Sequence, residues 1–301
     1  MNKHLLKMSD LTKNDIIEIL DLADKLKGYN KNNITHHILK GKTLGMIFMK
    51  SSTRTRVSFE AGMYQLGGQA LFLSANDLQL GRGEPISDTA KVLSRYLDGI
   101  MIRTFAQKDV EDLAKYGSIP VINGLTDYSH PCQVLADLMT VREYKGKLEG
   151  LKLCFIGDGF NMANSLITGG LTVGMSVSCA TPKNHEPEKN IINFAEKYQD
   201  RFILTNDVKE AAKDADVLIT DVWYSMGQSG IEERKAIFKD YKIDAETMKF
   251  AKPDAMVLHC LPAHRDEEIS SEIFEIHQNE IFDEAENRLH VQKAVLVKLM
   301  G

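Results

Sequence analysis

The chain has 301 residues, enough for two domains of about 150 residues, each with its own core. A formal net charge of -5 argues against a nucleic-acid-binding surface, so an arginine-rich stretch within it reads as a local pocket for a small anion. No apolar run reaches the ~18 residues of a membrane span, and the charged first twenty residues lack a signal-peptide core. The four cysteines, Cys132, Cys154, Cys179 and Cys260, have no C-x-x-C spacing and read as reduced thiols, so a soluble cytoplasmic protein is expected.

In chain order, Thr12 with Asp15 three positions on predicts the N-cap of a first helix, along which Ile16, Leu20 and Ala23 recur at helical spacing. Short apolar runs at 44–49, 70–73, 100–102 and 120–122 alternate with helix-like segments, the pattern of βαβ units in a parallel sheet. A long helix with Val134, Leu138 and Val141 on one face is predicted over 131–145. The alternation restarts at 151–156 and continues at 177–180, 202–204, 217–220 and 256–258, before a C-terminal helix from about Ala285. The expected fold is α/β with two domains, 1–148 and 149–301, each a central parallel sheet flanked by helices. Two interdomain helices join them, with the C-terminal helix of about 285–300 packing back on the first domain.

Ser52-Thr53-Arg54-Thr55-Arg56 follows the first apolar run and opens a helical pattern through Val57, Ala61 and Tyr64. Hydroxyls, guanidinium groups and backbone N–H donors at a helix N-terminus are what a phosphate dianion needs. Three further groups fall at predicted strand ends, the usual ligand side of an open α/β sheet, and a shared cleft is expected there. Arg103 closes one run; His130-Pro131-Cys132-Gln133 opens the long helix; and Asp221 through Gly227, with His259-Cys260-Leu261-Pro262, end strands of the second sheet.

Blander patterns sit beside these. Gly157-Asp158-Gly159-Phe160-Asn161 imitates a dinucleotide fingerprint, but the third glycine and the acidic residue closing the next strand are missing. His259, Cys260 and His264 have no second Cys/His pair for a structural zinc site. His185 and His277 read as surface residues, Trp223 as a core anchor, and the glycine-rich stretch 78–85 as a surface turn too flexible for the core.

Five motifs in order, at 52–56, 130–133, 221–227, 259–262 and Glu286-Asn287-Arg288, make the chain resemble the aspartate/ornithine carbamoyltransferase family over nearly its whole length. The resemblance implies transfer of a carbamoyl group from carbamoyl phosphate to the δ-amine of L-ornithine, giving citrulline and phosphate, with no cofactor and no metal. It implies that Ser52, Thr53, Arg54 and Thr55 hold the phosphate and that Arg103 reaches phosphate and carbonyl oxygen. His130 donates to that oxygen, while Gln133 and the Leu261 carbonyl accept from the carbamoyl NH₂ group, and Arg288 closes the site. Asp221 and Ser225 are implied at the α-amino end of ornithine, with Asn161 and Met226 at its other polar atoms and Cys260 beside the δ-nitrogen. The family further implies a homotrimer in which Gln79 reaches a neighbouring subunit's site.

Within the family the resemblance makes the Ser225-Met226-Gly227 loop the ornithine-type feature; an aspartate-accepting relative would need cations for a second carboxylate and a Pro-Leu-Pro run in place of His259-Cys260-Leu261-Pro262. Putrescine and acetylornithine relatives depart from that loop. A non-catalytic ligand-binding paralogue would have no use for the complete set Arg54, Arg103, His130, Gln133, Asp221, Cys260 and Arg288. Phe160 stands where family members often carry a second Asn.

Overall fold

The computed structural model describes residues 3–224 and 230–301. The chain divides into two compact units, 1–136 with 287–301, and 137–286. The division falls inside helix α5 (Pro131–Lys145) and inside the C-terminal helix Gln278–Met300.

The first unit holds β1 (Thr43–Phe48), β2 (Gln69–Ser74), β3 (Gly99–Arg103) and β4 (Val121–Leu125), all parallel in the order β2-β1-β3-β4. Helices α1 (Lys13–Lys31), α2 (Thr53–Gln65), α3 (Ile86–Leu93) and α4 (Gln107–Tyr116) connect or precede them. The capping box read from the sequence starts α1: Thr12 Oγ1 accepts from the Asp15 N–H at 3.1 Å, and the Asp15 carboxylate accepts from the Thr12 N–H at 3.0 Å. Such a cap contributes about 1 kcal/mol. β1 and β3 read as continuous apolar runs because both faces are covered. Ile47, Ile100, Ile102 and Val121 join Ala90, Val110 and Leu113 in one core cluster. β2 is an edge strand that leaves Leu71 and Phe72 exposed.

The second unit holds β5 (Lys152–Ile156), β6 (Ser176–Ala180), β7 (Phe202–Thr205), β8 (Val217–Thr220) and β9 (Met256–His259), parallel in the order β7-β6-β5-β8-β9. Helix α6 (Asn161–Thr172) follows β5. Cys154, Ile156, Leu218 and Val257 form its core with Ile243, Ile269 and Ile281.

The C-terminal helix begins at Gln278, seven residues before the expected Ala285. Acidic side chains hid its first turns. Glu280 and Glu284 are acceptors for backbone N–H groups at β9, Val257 at 2.9 Å and His259 at 2.9 Å.

Candidate active site

Strand order in the first sheet reverses between β1 and β3, the switch point at which open α/β sheets bind ligands. Phe48, the last residue of β1, pairs with Arg103, the last of β3, and the β3–β4 register shifts at Ile102/Arg103. Such an irregularity re-aims the side chain beside it. Past β1, Ser52 is the N-cap of α2: its backbone is extended and its Oγ accepts from the Thr55 N–H at 3.2 Å. Helix geometry then directs the first N–H groups of α2 out along the axis, at the positive end of the dipole. Thr53 and Arg54 are exposed there, and Thr55 is buried.

Arg288 of the C-terminal helix reaches the same place. Its Nη1 donates to Gln133 Oε1 at 2.6 Å and its Nη2 to Thr55 Oγ1 at 3.3 Å, and the side chain is almost fully buried. Gln133 lies in the first turn of α5, with its N–H bonded to the His130 carbonyl at 3.1 Å. A closed turn at 126–129 aims His130: the Thr126 N–H donates to the Ser129 carbonyl at 2.9 Å, and the Ser129 N–H to Thr126 Oγ1 at 3.0 Å. Burial lowers the His130 pKa well below that of an ordinary histidine, and the Arg288 and Arg103 guanidinium groups push it the same way. The imidazole is therefore a neutral ring beside two fixed cations.

The loops leaving this sheet are also tied to each other. Lys50 Nζ donates to Asp127 Oδ1 at 2.5 Å and lies 4.2 Å from the centre of the Phe105 ring, joining the segments that follow β1, β3 and β4. Lys50 was not read as part of the site, since a single lysine after a strand carries no periodic signal.

In the second sheet the order reverses between β5 and β8, and Ile156 pairs with Thr220 while Thr220 pairs with His259. Register therefore sets Asp221 beside Cys260, and the Cys260 thiol donates to Asp221 Oδ1 at 3.0 Å. Burial raises the Cys260 pKa well above the usual thiol value, and the Asp221, Glu284 and Asp137 carboxylates add to it. Asp221 Oδ1 also accepts from the Val222 N–H at 2.7 Å. Asn161, the first residue of α6, is buried. Ser225 and Met226 lie outside the described residues.

His259 shapes the loop beyond β9. Its Nδ1 accepts from the Leu261 N–H at 2.9 Å, so the ring proton sits on Nε2, which donates to the buried Glu268 Oε1 at 2.9 Å. Leu261 has φ 55 and precedes a cis peptide bond to Pro262. A left-handed Leu costs about 1–3 kcal/mol and persists where its surroundings hold it, and here the His259 ring holds the Leu261 N–H.

Both ring nitrogens of His259 are thus engaged, and the metal reading of His259 with Cys260 loses its first ligand. Among the described residues, His264, Glu267 and Glu268 do bring ligand atoms within 4.8 Å of one another. Glu267 in that trio is already paired with Lys235 Nζ at 2.7 Å. Gly159 answers the dinucleotide pattern: a Cβ there would come within 2.3 Å of backbone atoms of His185 and Glu186, so this glycine permits close backbone packing. Trp223 is buried and donates from Nε1 to the Tyr241 carbonyl at 2.9 Å, the core anchor expected.

His185 and His277 are less exposed than a free surface position would leave them. Both are partly buried, His185 with its ring centre 5.0 Å from that of Phe238, and His277 with Nδ1 2.7 Å from Glu280 Oε2. The 78–85 stretch is less loose than its glycines implied: Leu78 and Leu80 pack against the first unit's core, and Gln79 between them is exposed.

Residues 3–143 match the family model described as the aspartate/ornithine carbamoyltransferase carbamoyl-P binding domain, and 149–299 match the Asp/Orn binding domain. An ornithine carbamoyltransferase of Carboxydothermus hydrogenoformans is 54% identical over 99% of this chain and 98% of its own. The solved ornithine carbamoyltransferase of Pyrococcus furiosus superposes with a TM-score of 0.94 at 51% identity, covering 99% of this chain and 97% of that one. An anabolic ornithine carbamoyltransferase from Campylobacter jejuni gives 0.92 at 43% identity, with 99% of each chain covered. With both halves matched in order and relatives this similar along their whole length, the chain belongs to the aspartate/ornithine carbamoyltransferase family.

Proposed function

We propose that the chain transfers the carbamoyl group of carbamoyl phosphate to the δ-amine of L-ornithine, releasing L-citrulline and phosphate, as the names of its relatives state for those proteins. The observation that carries this reading is the Ser52-capped N-terminus of α2 at a sheet switch point, beside Arg103, with buried Arg288 held on Thr55 and Gln133. Phosphate as a leaving group is stabilised by such preorganised cations and N–H donors.

In this reading residues 1–148 bind carbamoyl phosphate through Ser52, Thr53, Arg54, Thr55, Arg103, His130 and Gln133, with Cys260, Leu261 and Arg288 completing the set. His130 suits the carbonyl oxygen because a buried neutral imidazole donates one hydrogen bond without adding a third charge. Gln133 Oε1, held by Arg288, is an acceptor suited in type to the carbamoyl NH₂ group. Losing that NH₂ would leave protein acceptors unpaired, which discriminates against acyl phosphates lacking it.

Residues 149–301 would bind ornithine through Asn161, Asp221, Ser225 and Met226. A carboxylate at Asp221 suits the α-ammonium, and the bonds Asp221 accepts from Val222 and Cys260 fix its orientation. The exposed Leu71 and Phe72 on edge strand β2 favour a covered face, in keeping with a homotrimer in which exposed Gln79 serves a neighbouring subunit. A cytoplasmic location and a place in arginine metabolism belong to the same proposal. Citrulline formation by the purified protein from carbamoyl phosphate and L-ornithine supports it; a folded protein that makes none refutes it.

A further inference from the structure

We propose that Gln292 is a positioning residue for Arg288, holding the guanidinium toward the phosphate end of α2 without cancelling its charge; this rests on the carbamoyl phosphate site proposed above. Gln292 lies four residues after Arg288 on the same face of the C-terminal helix and is 0% exposed. Its amide oxygen accepts from Arg288 Nη2 at 3.0 Å and from Nε at 3.2 Å, so both donors on one edge of the guanidinium meet a single acceptor. Its amide nitrogen donates to Ser58 Oγ at 2.5 Å.

Only this orientation of the amide works, since the reverse sets an NH₂ group against guanidinium donors. Ser58, using its lone pair for Gln292, turns its own hydrogen to the Arg54 carbonyl at 2.7 Å. A one-way chain of hydrogen bonds results: Arg288 donates to Gln292, Gln292 to Ser58, and Ser58 to the carbonyl of Arg54 in the first turn of α2. With Nη1 on Gln133 and Nη2 also on Thr55, the planar group is fixed on three sides.

The choice of amide over carboxylate follows from charge. A glutamate at 292 would accept the same two bonds more strongly, yet would pair with Arg288 and remove the positive charge a dianion needs. A neutral acceptor orients the cation without setting a negative charge against it.

The test is a double-mutant cycle read as inorganic phosphate binding by calorimetry on the full chain, with no dependence on turnover. Gln292→Met, close in volume, is expected to weaken phosphate binding by roughly 10- to 100-fold in the wild-type background, the range for losing hydrogen bonds to a charged group. In an Arg288→Met background the same change should cost less than about 2-fold. Gln292→Glu keeps the volume and the acceptor, and is expected to fold and still bind phosphate at least about 10-fold more weakly, because the charge is cancelled. Equal losses from Gln292→Met in both backgrounds, or phosphate binding by Gln292→Glu within about 2-fold of wild type, overturn the proposal. Wild-type protein that binds phosphate but makes no citrulline would sink the carbamoyl-transfer reading instead, leaving this cycle to be judged on its own.

Discussion

Cys260 gives its thiol hydrogen to Asp221 Oδ1 at 3.0 Å, one residue beyond the register pair Thr220 and His259. Burial of this partly exposed residue disfavours a thiolate there, and the Asp221 carboxylate it would face disfavours it further, so the protonated thiol is favoured. Cys260 gives Asp221 one oriented hydrogen bond. Iodoacetamide should modify it at least about 10-fold more slowly than a free thiol at pH 8, where an ordinary cysteine with pKa ~8.5 is partly ionised. Asp221→Asn should speed the reaction. Because the folded pKa is raised, this thiol contributes stability present below the unfolded value and lost as pH rises beyond it. Alkylation at the rate of a free thiol would contradict the assignment.

Arg54→Ala should lower kcat/KM by at least ~10²-fold while the protein remains folded, since one preorganised donor to a developing phosphate is worth about 3 kcal/mol. Arg54 is exposed at the start of α2, so its loss opens no cavity. Steady-state kinetics near the wild-type values in a purified mutant would remove Arg54 from the site.

His130 gives a pH prediction whose sign follows from its lowered pKa. As pH falls below the ordinary histidine value of ~6.5, the unfolded chain takes up a proton that the folded chain does not. Stability from His130 is therefore fully present above about pH 6.5 and is lost as pH falls below it. Urea titrations at pH 7.5 and 5.5 should show a larger loss for wild type than for His130→Gln. Identical losses would mean that the ring titrates alike in both states.

If Gln79 completes a neighbour's site, Gln79→Ala and Arg54→Ala chains, each impaired alone, should regain activity when unfolded and reassembled together. Mixed assemblies contain sites in which an intact Arg54 meets an intact Gln79 from another chain. Verified mixed assemblies no more active than the average of the two parents would confine each site to one chain.

Much of the fold was legible because parallel strands covered on both faces appear as bare apolar runs, as at 44–49 and 217–220. The oxyanion end of α2 was legible because capping chemistry is local: Ser52 and Thr55 are three residues apart. What escaped depends on pairing between distant segments. Nothing local places Asp221 against Cys260, 39 positions away; the β8–β9 register does that. Gln292 carries no local signal in the sequence, and its contacts exist only where Ser58 and Arg288 flank it. Glu280 and Glu284 similarly concealed the first turns of the C-terminal helix, since acids that cap backbone N–H groups read like solvated ones.

The most direct measurement is kcat/KM for carbamoyl transfer from carbamoyl phosphate to L-ornithine, putrescine, N-acetylornithine and L-aspartate in parallel. Each assay should follow both phosphate release and the carbamoylated product. The expected result is citrulline from ornithine with a kcat/KM at least about 10²-fold above every other acceptor, because an unfilled α-ammonium site leaves the buried polar groups around Asp221 unpaired. A higher value for any of the other three, or phosphate release without a carbamoylated product, would contradict the account.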